Sequence, residues 1–170
     1  MVKSKRLALA TFFGVLIFVS KIPIVTPLDK VMVVVQALLL ALGYLVIGRL
    51  GATYVAVVGG LLTAILRPAF SPFTLLFAST YGLFTDCFCT LFKVRASQLS
   101  AVRLTLSMGL STGLIGLISY YTTVYVFMLL LRNLMLEVVI LVLGTLSGLV
   151  GGYIAAIIWT KYLSKIVAKI

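Results

Sequence analysis

The chain has 170 residues, 63% of them hydrophobic and 10% charged, with 14 basic residues, three acids, no histidine and a net charge of +11. A water-soluble domain of this length has no way to hide so much apolar surface, so the composition points to a single all-α integral membrane domain. It also excludes most chemistry. Without His, and with so few acids, there is no nucleophile–base pair, no metal-ligand set and no implied cofactor, and neither a phosphate-loop nor a dinucleotide motif occurs; the chain reads as a non-enzyme. The basic residues are scattered between apolar runs and form no patch with interleaved aromatics, so no nucleic-acid partner is expected.

Six apolar helices are predicted, at about residues 7–20, 27–48, 52–66, 72–92, 101–121 and 135–160. The first follows a basic start. Its Ala10 and Gly14 stand four residues apart, which lets another backbone come close; an accidental pair in a helix containing Ala and Gly is the equal alternative. No secretory cleavage pattern follows this run, so it reads as a retained helix. Pro23 and Pro27 impose an ordered loop over residues 22–27, and Thr26, Pro27 and Asp29 resemble a helix start. In the second helix Gln36 is the only strongly polar interior residue. The third carries Ala52, Ala56, Gly60 and Ala64 at four-residue spacing, a stripe suited to close packing, and stops at Arg67-Pro68.

The fourth run, residues 73–92 (FTLLFASTYGLFTDCFCTLF), holds Asp86. Ser79, Gly82, Asp86 and Thr90 share one helical face. A carboxylate at that depth must turn towards protein or trapped water. Two readings stay open: an acid that contacts a ligand, proton or ion, or a structural partner, with Arg49 or Arg103 as its expected counterpart. Cys87 and Cys89 read as small packing residues and not as metal ligands.

Residues 93–103 form the most polar connection. The fifth helix interleaves Gly109, Gly113 and Gly116 with Ser107, Ser111 and Thr112. Residues 121–131 exceed what a bilayer crossing needs and read as a projection, bend or apolar lid. Arg132-Asn133 is the last turn. The sixth helix repeats the small-residue stripe with Gly144, Gly148, Gly152 and Ala156, and Trp159 and Tyr162 suit an aromatic belt.

With six crossings, ten basic residues (Lys3, Lys5, Arg6, Arg49, Lys93, Arg95, Arg103, Lys161, Lys165 and Lys169) lie on the side of the termini and four (Lys21, Lys30, Arg67 and Arg132) lie opposite. This bias sets both termini in the cytoplasm of a multi-pass cell-membrane protein. The outer ends of the last three helices then gather Phe77, Ser79, Tyr81, Tyr120, Tyr121, Tyr125, Asn133 and Glu137. Together these suit an aromatic-lined small-molecule pocket in which Glu137 faces a cationic ligand. The alternative is plain interface chemistry, with Glu137 answering its helix dipole or Arg132.

The stretch ALLLALGYLVIGRLGATYVAVVGGLLTAILRP followed by PFTLLFASTYGLFTDCF resembles the substrate-binding S subunits of energy-coupling factor (ECF) vitamin transporters, as do the six short helices. The resemblance implies capture of a vitamin or precursor from outside. It also implies docking on a transmembrane coupling subunit driven by ATPase subunits. Its helix-1 docking pattern is matched by Ala10, with Gly14 where the second Ala would stand. The loop at residues 22–27 would cover the pocket. Two other classes compete: a structural or assembly subunit held by its glycine stripes, and a small oligomeric ion or proton channel using Asp86.

Overall fold

The structure is a computed structural model that describes residues 2–21, 28–66, 71–128 and 131–167, with side chains for all of these except residues 2, 3 and 28–31. The loop at residues 22–27, the cap at Thr26, and Arg67-Pro68 lie outside the described residues. The described chain is helical: α1 (Val2–Lys21), α2 (Leu28–Ile47), α3 (Gly51–Leu66), α4 (Ser71–Leu91), α5 (Ala101–Tyr125), α6 (Leu134–Ile158) and α7 (Ser164–Val167). A 3-10 turn at Ala96–Gln98 precedes α5, and a π turn at Trp159–Leu163 joins α6 to α7 in one continuous rod. Among the described residues three helical stretches are long and apolar enough to cross a membrane: Ser71–Leu91, Ala101–Tyr125 and Leu134–Val167.

The helix ends follow from local chemistry. Gly48 (φ 92°) and Leu50 (φ 66°) make the left-handed turn between α2 and α3, and the Gly51 amide donates to the Gly48 carbonyl at 2.9 Å. Lys93 (φ 52°) ends α4, with the Val94 amide reaching back to the Cys89 carbonyl at 2.8 Å. Asn133 caps α6, its Oδ1 accepting from the Met135 amide at 2.9 Å. The basic start expected ahead of the first helix is itself helical, because Lys and Arg are good helix formers and no breaker separates them from the apolar run.

The excess beyond residue 121 resolves into one more turn of α5, to Tyr125, and then a bend. The Val126 and Phe127 amides both reach back to the Thr122 carbonyl, and Met128 takes φ 51°. The Phe127 ring packs edge-on against Phe73 with centroids 4.6 Å apart, so the bend folds over the start of α4.

α2 is the centre of the bundle. It touches α1, α3, α4, α5 and α6, while the other five follow one another along it in the order α1, α3, α4, α5, α6, with α2 itself filling the gap between α6 and α1. Its apolar residues run all round the helix, and Leu40, Ala41, Leu45 and Val46 are fully buried or nearly so. By contrast α6 shows Leu136, Val138, Leu141, Val142, Leu146 and Val150 on its outer surface, an apolar face suited to lipid.

Both small-residue stripes are spent inside the chain. On α3, Gly60 lies so close to α4 that an added Cβ would stand 2.7 Å from the Ala78 methyl. On α6, Gly148 abuts the backbone of α5 at Met108. The Ala10 and Gly14 pair, expected to dock a partner, faces α3 instead: Ala10 is fully buried, and a Cβ on Gly14 would stand 2.7 Å from Val58 Cγ1.

Trp159, read from the sequence as a belt residue, is buried, and its Nε1–H donates to the Ala96 carbonyl at 3.2 Å. It ties the π turn to the connection between α4 and α5. Trp159→Phe removes that bond and is expected to lower the melting temperature in detergent by about 2–4 °C, the equivalent of ~1 kcal/mol. A differential scanning measurement showing no change would mean that the tie carries no stability.

Candidate functional site

A cavity of about 510 Å³ opens between α2, α4, α5 and α6, within the range of small-molecule sites. α4 and α5 run antiparallel along it. Phe73 meets Phe127 beside one end of it, and Tyr81 meets Thr112 at the other end, its floor. Thr74 and Ser119 therefore sit level at the first end, seven residues (about 10 Å of helix rise) from the Tyr81–Thr112 pair.

The floor is a directed hydrogen-bond chain. Thr112 Oγ1 donates to the Met108 carbonyl at 2.7 Å, so the Tyr81 hydroxyl, 2.7 Å away, is the donor to Thr112. That leaves the Tyr81 oxygen with acceptor capacity beside the cavity. Tyr81 is buried, and an apolar site requires such a partner for its hydroxyl. The walls are Phe77, Ile115, Val139, Ile140 and Leu143, with Gly116 and Gly144 between them. Polar lining comes from Gln36 on α2, Ser147 on α6, and Lys21 at the end of α1.

Of the eight pocket residues expected from sequence, Phe77 and Tyr81 line this cavity. Ser79 donates to its own helix at the Leu75 carbonyl, 2.8 Å away. Tyr120 pins the end of α5 to the start of α6: its hydroxyl accepts from the Asn133 amide at 2.9 Å and donates to the Asn133 carbonyl at 3.2 Å. Asn133 serves as the cap of α6. Tyr121 and Tyr125 stack on each other outside, with ring centroids 6.0 Å apart. Glu137 accepts from Arg132 Nε at 3.0 Å, and this hydrogen bond pushes the Arg132 guanidinium above its ordinary pKa. The expected pairing of Glu137 with a cationic ligand is thus replaced by the other reading of that residue, an ion pair with Arg132.

Asp86 is not part of the cavity. It is buried against the first turn of α3, accepting from the Ala52 amide at 3.1 Å, the Thr53 amide at 2.8 Å and the Thr53 hydroxyl at 2.6 Å. Neither Arg49 nor Arg103 pairs with it among the described residues. The physical reason is that a helix start offers unsatisfied N–H groups and a positive dipole end, which take the place of a cationic side chain. Gly82, one turn earlier on the same face, lets α4 approach α3 closely enough for this: a Cβ there would stand 2.6 Å from Thr53 Cα.

The residues that sequence reasoning passed over are Lys21, Gln36, Thr74, Ser119 and Ser147. Gln36 gave a signal, as the one strongly polar position inside its helix. No group of three metal-ligating side chains occurs among the described residues. Compared with known proteins, the chain matches no family model, no curated protein and no solved structure.

Proposed function

We propose that this chain is a membrane-embedded capture subunit for a small molecule, of the ECF S-subunit type, working with a separate coupling subunit and ATPase subunits. The observation that carries the reading is the cavity of about 510 Å³, an apolar chamber with a few polar groups among four packed helices. Six crossings with the termini in the cytoplasm agree with the ten-to-four distribution of basic residues. In that orientation the end of the cavity lined by Lys21, Thr74 and Ser119 faces away from the start of α1, on the outer side, as uptake requires. The sequence resemblance supplies the partners; the chain has no ATP-binding motif of its own.

An assembly role is less well supported, because the glycine stripes that would hold a partner are filled by α4 and α5 of the same chain. A channel role loses its central residue, since Asp86 is committed to the start of α3.

The test is ligand capture by the purified full chain. Mass spectrometry of co-purifying molecules and a thermal-shift screen of vitamins and their precursors should yield a compound that raises the melting temperature. At about 100 times its Kd, such a ligand adds ~2.7 kcal/mol, or about 5–10 °C. Ser147→Phe, which fills the inner chamber, should weaken binding by about tenfold or more. A chain that retains no small molecule and responds to none would overturn the proposal.

A further inference from the structure

We infer that the captured molecule presents an amide-type edge, an N–H beside a C=O as in a lactam, imide or cyclic urea, and that the Gln36 carboxamide receives it through a paired hydrogen bond. The inference rests on the capture reading of the cavity and adds the functional group by which the ligand is held.

The first support is a polar group without a partner. Gln36 is the one strongly polar residue in the apolar stretch Met32–Ile47 of α2. Its neighbour Ala37 and the residue one turn on, Leu40, are fully buried, so this side of α2 turns into the bundle, and Gln36 lines the cavity together with Val33. Its carboxamide makes no hydrogen bond to any described residue. The hydroxyls of α5 solve the same problem within their own helix: Ser107, Ser111 and Thr112 each donate to the carbonyl four residues earlier. A carboxamide carries two donor hydrogens and an acceptor, more than one backbone carbonyl can satisfy. Between apolar helices in a membrane such a group is costly when unpaired, and a molecule in the cavity is the partner for which the arrangement leaves room.

The second support is the pattern of donors and acceptors. The Gln carboxamide is planar and sets an acceptor and a donor side by side. A ligand edge that answers both at once needs a donor beside an acceptor in the same plane. An N–H next to a C=O supplies that; a ketone, an ester or a carboxylate has no donor to give. The floor asks for a donor as well. The Tyr81 hydroxyl is committed as donor to Thr112, so its oxygen can only accept. Phe77, Ile115 and Ile140 offer apolar contact alone, so the edge is carried on an apolar body.

Pairs of compounds of similar shape, titrated into the purified full chain, test this: 2-quinolone with coumarin, phthalimide with N-methylphthalimide, and benzimidazolone with its N,N′-dimethyl form. The first of each pair has the N–H beside the carbonyl and the second lacks it. The N–H compounds should bind about tenfold or more tighter. Gln36→Leu and Gln36→Met, both apolar and of similar volume, should bring that ratio within about threefold. Without ligand both variants should melt at or above the parent chain, because they remove an unpaired polar group. Paired compounds binding alike, a ratio unchanged in the variants, or both variants melting more than about 3 °C below the parent would overturn the inference and leave the capture reading standing. Where the vitamin screen alone yields a ligand, the same variants judge it. An amide-bearing compound that loses about tenfold or more in Gln36→Leu supports the assignment, and a ligand without such an edge, or indifferent to Gln36, overturns it. If no compound of any kind binds, both readings fall together.

Discussion

Asp86→Ala is expected to lower the melting temperature of the detergent-solubilised chain by about 6–12 °C, corresponding to a loss of ~3 kcal/mol. The carboxylate accepts three hydrogen bonds, from the Ala52 amide, the Thr53 amide and the Thr53 hydroxyl. Alanine leaves two helix-start amides without partners, and that of the fully buried Ala52 lies where water does not reach easily. Asp86→Asn should cost about half as much. Its single oxygen best takes the Oδ2 place, keeping both Thr53 bonds, while its amide nitrogen then faces the Ala52 N–H and forfeits that bond. The order Asp, Asn, Ala in stability is the signature of an acceptor that caps a helix. A proton- or ion-conducting acid would instead change flux in proteoliposomes while melting normally. If the alanine variant melts within about 2 °C of the parent chain, the capping role is wrong.

Gly148→Ala is the second large effect. The added methyl would meet the Met108 carbonyl on α5 and stand 2.5 Å from Thr112 Oγ1 and 2.8 Å from the Met108 carbonyl carbon. Backbone cannot swing aside as a side-chain tip can, so α6 must move off α5 at a cost of about 3 kcal/mol, again some 6–12 °C. The shift would also disturb Thr112, which anchors Tyr81 at the cavity floor. Loss of ligand binding should accompany the loss of stability. Gly116→Ala is the control, since its methyl meets only the Ile140 Cγ2 tip at 3.3 Å and the Ile140 carbonyl oxygen at 3.9 Å, and α-helix propensity favours alanine by ~1 kcal/mol. Its melting temperature should stay within about 3 °C of the parent. Equal melting of the two variants would show that the α5–α6 contact is looser than described.

Much of the architecture was legible because apolar runs alternate with short polar turns, and such a turn leaves a local mark, as Arg132-Asn133 does. Spacing also revealed where backbones come close. It did not say to which neighbour: Ala10 and Gly14 fit an external docking surface as well as they fit α3, and Gly148 fits an oligomer as well as it fits α5. The π turn left no mark at all, since the WTKYL segment has ordinary helix-compatible residues.

The site was less legible, for a physical reason. Sequence reading ranks residues by what they carry, and ringed or ionised side chains such as Tyr120, Tyr125 and Glu137 rank first. The cavity is lined in part by Gly116 and Gly144, which carry nothing to rank, and by small hydroxyls that any helix can hold. The conspicuous residues went to structural work: Tyr120 bridges two helix ends, and Glu137 holds Arg132.

The central placing of α2 bears on how the protein is made. In a membrane, this helix leaves the ribosome second, long before the three helices that will sheathe its far side have been synthesised. Its stretch Met32–Ile47 is apolar enough to wait among acyl chains at little cost, with Gln36 as the one strongly polar residue within it. The later arrivals then close around a post already in place, so biogenesis tolerates delay downstream but not a charged substitution within the post itself.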